Sequence, residues 1–103
     1  MQINILPEND RTVLAVSGRV DTMTSGEFQQ QALAALDKAC GDMVIDCEKL
    51  EYLSSAGLRA LLVLAKCAQK KEREICLCRL NHLVSEILEM SGFDSFFTIQ
   101  DDL

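Results

Sequence analysis

The sequence predicts an α/β fold: one domain in which an opening β-hairpin is followed by alternating strands and helices, with the helices packed on a mixed sheet. Three observations carry this. Two short strand-like stretches, residues 2–6 and 12–16, are separated by a few polar residues. After them, compact apolar runs at 43–45 and 75–78 alternate with longer segments whose apolar residues recur at helical spacing. Finally, 103 residues fit a single domain, 1–103, with no room for a second module.

The elements follow in order. Residues 2–6 alternate polar and apolar side chains (Ile3, Ile5) and meet Pro7, as a short strand does. Glu8, Asn9 and Asp10 supply a turn. Residues 12–16 are rich in β-branched side chains and form a second strand ending at Ser17 and Gly18. The short connection predicts an antiparallel hairpin. Thr24 and Glu27 have the spacing of a capping box, in which each end of the pair satisfies a free helix N–H. The helix they open runs to about Lys38, with Phe28, Ala32, Ala35, Leu36 and Ala39 on one side, and Gly41 stops it.

Residues 43–45 read as a buried strand leading to Asp46 and Cys47, and residues 48–54 as a loop. A second helix starts near Ser55 and ends near Lys71. Residues 75–78 form a strand apolar on both faces. A third helix spans 82–91, with Gly92 in the left-handed position beyond its end and Phe93 placed for the apolar contact that such an ending favours. Phe96, Phe97 and Ile99 close the chain as a tail. Strands that alternate with helices imply right-handed parallel crossovers.

Composition excludes several function classes. A net charge of −6 repels a phosphate backbone, and Lys70 and Lys71, the adjacent basic pair, are followed by Glu72, so no nucleic-acid partner is expected. No apolar run approaches the roughly 20 residues of a membrane span, and no basic-then-apolar leader opens the chain. Direct membrane insertion is therefore not expected. Five cysteines (Cys40, Cys47, Cys67, Cys76, Cys78) are scattered without a C-x-x-C pair, and His82 is the single histidine, so neither a metal site nor a cofactor is expected. Free thiols in apolar runs suit a reducing compartment, which points to the cytoplasm. No catalytic residues are assigned. No nucleophile elbow, P-loop or dinucleotide fingerprint occurs, His82 has no obvious serine or cysteine partner, and Asp21 and Asp46 could pair in space, though carboxylates on separate loops more often cap turns.

The informative stretch is 44–59, which reads as strand, loop and helix start. Functional residues gather where a strand's C-terminal end meets a helix N-terminus, and Asp46 and Ser55 are expected there together. Ser54 and Ser55 are both good N-cap residues. Gly57 costs a helix about 1 kcal/mol relative to alanine and needs a reason. Either the helix end packs closely on the sheet, or the missing side chain leaves access for a partner. A phosphate on Ser55 would meet the free N–H groups of the first turn, and Arg59 projects from the same side one turn on. On these residues alone a plain capping serine and a solvated arginine are the better account, since capping serines far outnumber phosphorylated ones.

Along the second helix, Leu58, Leu61, Leu62, Leu64 and Ala65 are expected to face the core. Arg59, Lys66 and Lys70 form a narrow polar stripe, Val63 falls beside it, and Ala60 and Cys67 lie on the flank. The helix is more apolar than a lone surface helix. Cover by the tail or contact with a partner would explain this, and the partner is the expectation carried forward.

Three spaced motifs then bear a family resemblance. Tyr52-Leu53-Ser54-Ser55-Ala56-Gly57-Leu58-Arg59 closely resembles the core motif of STAS domains of bacterial anti-sigma factor antagonists. Val16-Ser17-Gly18-Arg19-Val20-Asp21 is similar to that family's early glycine–aspartate signature. Residues 88–97 resemble its closing helix and tail. The match runs in order over almost the whole chain. It implies a STAS-like fold and a non-enzymatic binding protein that sequesters an anti-sigma factor with serine kinase activity. Phosphorylation by that kinase would release it, and a serine phosphatase would restore binding. The family's acceptor serine lies two residues before the glycine, which implies Ser55. Where many members have aspartate this chain has Ser54, a second candidate acceptor. Asp21, Ser54, Ala56, Gly57, Arg59 and Val63 are the implied or expected partner-facing residues. The alternative is a STAS accessory or scaffold module of a transport or sensory complex, without a phospho-switch.

Overall fold

Gln2 lies opposite Ser17 and Pro7 opposite Thr12, so β1 (Gln2–Pro7) and β2 (Arg11–Val20) form the expected antiparallel hairpin. The structure is a computed structural model that describes residues 1–103 apart from Asn9 and Cys40; the Asn9 of the expected turn and the Cys40 thiol lie outside the described residues. β3 (Asp42–Asp46) runs parallel to the first half of β2, β5 (Ile75–Cys78) parallel to β3, and β6 (Thr98–Gln100) parallel to β5. The sheet order is β1-β2-β3-β5-β6, and β4 (Leu50–Leu53) lies parallel to the far end of β2.

The helices α1 (Ser25–Lys38), α2 (Ser55–Lys70) and α3 (His82–Ser91) bury their apolar stripes on one face of this sheet. Alternation along the strands sends Leu14, Val16, Met43, Ile45, Ile75 and Leu77 into that core. Val13, Val44, Cys76 and Cys78 point the other way and form a smaller cluster built from strand residues alone.

Several expectations need correction. β2 does not end at Ser17 and Gly18. It continues to Val20 because Gly18, at φ +89°, takes a left-handed turn of backbone. The register shifts there and the strand passes from β3 to β4 as partner. The stretch read as a loop at 48–54 therefore contains β4, whose Leu50 and Leu53 are buried. Four residues are too few to show a strand period. The capping box does not form either. Thr24 Oγ1 donates to the Arg19 carbonyl (2.9 Å) and accepts from the Asp21 N–H (3.0 Å), while Glu27 accepts from Gln31 (3.0 Å).

Gly41 is not a left-handed cap. α1 ends at Lys38, and the Arg73 guanidinium donates to the Ala39 carbonyl and to the Leu36 carbonyl, which also accepts the Ala39 N–H. Gly41 is needed for close approach: a Cβ there would lie 2.1 Å from the Asp10 carbonyl oxygen.

On α2, Ala60 and Ala68 are buried together with Leu61, Leu64 and Ala65. Leu58 and Leu62, expected in the core, are only half-buried. α2 lies between α1 on one side and the short 3-10 turn Phe93–Phe96 on the other, so Ala60 is not a free flank. Neighbours within the chain thus account for much of its apolar excess. The tail is ordered into that turn and β6.

Candidate functional site

Val20 and Leu53 are paired in the parallel β2–β4 ladder, so the residues that follow them, Asp21 and Ser54, emerge side by side. The Ser54 N–H donates to the Val20 carbonyl (2.9 Å) and locks the junction. Ser54 is then the N-cap of α2. Its hydroxyl accepts from the Gly57 N–H (3.2 Å) and its carbonyl from the Leu58 N–H (2.9 Å). Ser55, the first residue of the helix, is exposed, and no acidic residue shares its turn. The two serines are therefore unequal: one is spent on the helix start, the other stands at the surface.

Gly57 is buried against the strand end. A Cβ there would lie 2.6 Å from the Val20 carbonyl oxygen, 3.1 Å from Val20 Cγ1 and 3.2 Å from Leu53 Cδ2. Close packing, rather than access, is thus the reason for this glycine. Ala56 is half-buried, Arg59 is exposed one turn beyond Ser55 on the same side, and Val63 is half-buried a turn further on.

Asp21 organises the neighbouring loop. Its Oδ1 accepts from the N–H groups of Met23 (3.0 Å) and Thr24 (3.2 Å). Desolvation would raise the Asp21 carboxyl, but those N–H donors, the Thr24 hydroxyl and the Arg19 charge outweigh it and hold the group below the ordinary carboxylate range. Met23, at the tip of the loop, is 90% exposed.

Arg19 and Tyr52 are paired across β2 and β4, with the guanidinium 4.5 Å from the ring centroid, a cation–π contact at the rim of the site. Sequence reasoning missed this pair. The only signal for it was the register of a strand too short to recognise.

Asp46 does not join Ser55. It pairs with Ala15, five residues upstream of Val20 on β2, which is about 16 Å at the usual rise of a strand. β4 intervenes and carries the chain away from the end of β3. The Asp46 carboxylate instead takes Nε (3.0 Å) and Nη2 (2.5 Å) of Arg79, which also reaches Glu48 (2.8 Å). Burial pushes Asp46 upward, yet the Arg79 and Glu48 N–H donors hold it below its usual range. His82 lies elsewhere, 91% exposed at the start of α3 and 3.9 Å from Glu86.

Among the described residues, no group of histidine, cysteine or carboxylate side chains is arranged to hold a metal. No described helix is long and apolar enough to cross a membrane.

Comparison with known proteins agrees with this architecture. A family model described as Mlab, STAS domain, matches residues 6–100. A Bordetella bronchiseptica protein, provisionally named anti-sigma factor antagonist BtrV, is 34% identical over 87 residues, covering 84% of this chain and 75% of its own length. The anti-sigma F factor antagonist of Paenibacillus polymyxa is 31% identical over 105 residues, covering 99% and 90%. The crystal structure of an anti-sigma factor antagonist from Mycobacterium paratuberculosis superposes with a TM-score of 0.88 at 22% identity, covering 99% of this chain and 86% of that one.

Proposed function

The chain belongs to the STAS domain family, and on that premise we propose that it is an anti-sigma factor antagonist whose binding is switched by phosphorylation of Ser55. The observation that carries the switch is the division of labour between the serines. Ser54 is engaged as the N-cap, whereas Ser55 is exposed at the first helical position. A kinase can reach the Ser55 hydroxyl without dismantling the helix start, which favours Ser55 over Ser54 as acceptor.

Unmodified, the surface formed by Ser55, Ala56, Arg59, Val63 and the Asp21 loop binds the partner, an anti-sigma factor with serine kinase activity. Gly57 contributes by holding the helix end on Val20. Phosphorylation adds about −1.5 to −2 charges at Ser55. The new phosphate meets the positive end of α2, an attraction worth about 0.3–1 kcal/mol at a surface, and can pair with Arg59 one turn away. Within the interface the same charge must be desolvated, so the complex dissociates and a serine phosphatase resets it. The chain acts as ligand and substrate in this cycle and carries out no catalysis itself. A reducing cytoplasm suits its free thiols.

The test uses wild type, Ser55→Ala and Ser55→Asp as baits in the source cell. Wild type and Ser55→Ala are expected to retain a small ATP-binding kinase that Ser55→Asp loses, and that kinase adds one phosphate to wild type but none to Ser55→Ala. Equal retention by all three baits would sink the switch.

A second reading rests on membership of the STAS domain family without the switch. Here the chain is an accessory or scaffold module of a transport or sensory complex, without a phospho-switch. It predicts that all three baits bring down the same membrane complex.

A further inference from the structure

α2 contains Arg59, Lys66 and Lys70 and no acidic residue. With three of the ten basic residues and none of the sixteen acidic ones, it carries +3, against −9 on the remainder of the chain. At 3.6 residues per turn these three cations fall within about 20° of a single line, and Ser55 lies about 40° from it at the helix's N-terminal end. All four residues are exposed. The line runs for about 16 Å between Arg59 and Lys70. Leu62 and Val63, both half-buried, flank its centre.

Among the described residues these cations hold no carboxylate, whereas Arg11, Lys71 and Arg79 are bound to Glu8, Asp37 and Asp46 respectively. A helix face whose charge opposes that of the whole molecule is a directional feature. An acidic partner is repelled by most of this surface and drawn to this line.

We propose that the exposed line Ser55–Arg59–Lys66–Lys70 is the docking strip for an acidic, amphipathic helix of the partner, its carboxylates on the cations and its apolar side chains against Leu62 and Val63. This rests on the binding function proposed above and gives that partner its chemistry. Arg59 is then shared by two rivals. In the unmodified protein it holds a partner carboxylate; after phosphorylation it is neutralised by the phosphate beside it. The strip falls from +3 to between about +1 and +1.5. Release then follows from lost attraction along the strip as well as from repulsion at Ser55.

The experiment measures binding of two probes by fluorescence anisotropy at low and high salt. One is the anti-sigma kinase retained by the Ser55→Ala bait. The other is a synthetic helical peptide with glutamates at the matching seven- and four-residue spacing and leucines beside them, with a scrambled peptide of equal composition as control. Wild type should bind the patterned peptide in preference to the scrambled one. Lys66→Glu with Lys70→Glu should weaken both the peptide and the kinase by roughly tenfold or more at low salt, and the difference should shrink at high salt. Both lysines are exposed, so an unchanged thermal melt shows that the fold survives.

Equal binding of patterned and scrambled peptide, or kinase affinity unmoved by the double reversal, overturns the proposal. So does a strip that binds phosphatidylglycerol vesicles or duplex DNA while the reversals leave the kinase untouched. If the reversals weaken the kinase but Ser55→Asp does not, the docking strip stands and the phospho-switch falls.

Discussion

Gly57 sits directly on the end of β2: a Cβ at this position would lie 2.6 Å from the Val20 carbonyl oxygen, the same oxygen that accepts the Ser54 N–H at 2.9 Å. One backbone carbonyl thus fixes both the start of α2 and the direction in which the serine pair leaves the sheet.

Gly57→Ala should therefore destabilise the protein by about 1–3 kcal/mol, the usual cost of overpacking, although alanine is the better helix former. Denaturant unfolding checks this. Partner binding should fall as well, because the displaced helix end carries Ser55 with it. An unchanged midpoint would mean that the contact with Val20 relaxes freely.

The serines should separate cleanly by substitution. Ser54→Ala removes the acceptor for the Gly57 N–H and should cost about 1 kcal/mol of stability. Ser55→Ala touches an exposed hydroxyl and should stay within about 0.5 kcal/mol. Thermal melts of the two variants provide the stability comparison. Phosphorylation should follow the opposite order, lost in Ser55→Ala and kept in Ser54→Ala.

Asp46 gives the stability an acid limb. Desolvation opposes its ionisation, but the Arg79 and Glu48 N–H donors win, so its folded pKa lies below its unfolded one. Such a group stabilises the fold above the unfolded value of about 4, and that contribution drains away as pH falls through the depressed folded value. Asp46→Asn should be less stable than wild type at neutral pH, and the gap should close on acidification. A gap independent of pH would mean that the ion pair with Arg79 contributes nothing through its charge.

The thiols should react in an order set by burial. Cys47, Cys76 and Cys78 are buried, and desolvation raises all three thiols above their ordinary range. Cys67 is half-buried on α2. Brief alkylation of the native protein followed by peptide mass mapping should find Cys67 modified and those three protected. Early labelling of Cys47 would contradict the packing between the sheet and α3.

Much of the fold was legible because its elements are long or strongly patterned. Phe28, Ala32, Ala35 and Leu36 mark the buried face of α1, Ile75–Cys78 reads as a strand without ambiguity, and Gly92 ends α3 at φ +77° as a glycine after an apolar helix should. The candidate site is carried by the Ser54–Arg59 motif, which is continuous in the sequence. Elsewhere one local pattern lost to another contact close in sequence. Thr24 and Glu27 have the spacing of a capping box, yet Thr24 is drawn to Arg19 and Asp21 and Glu27 to Gln31.

By itself, then, the sequence determined the class of fold, the order of the main elements and the serine pair, since periodicity and turn chemistry are local properties of the chain. Tertiary structure alone decided that β4 pairs with the end of β2, that Gly57 is there to pack on Val20, that Arg19 lies over Tyr52, and that Asp46 belongs to Arg79 and not to Ser55. Each of these depends on strand register. Register is set by which residues end up opposite one another across the sheet, and no window along the chain contains both partners.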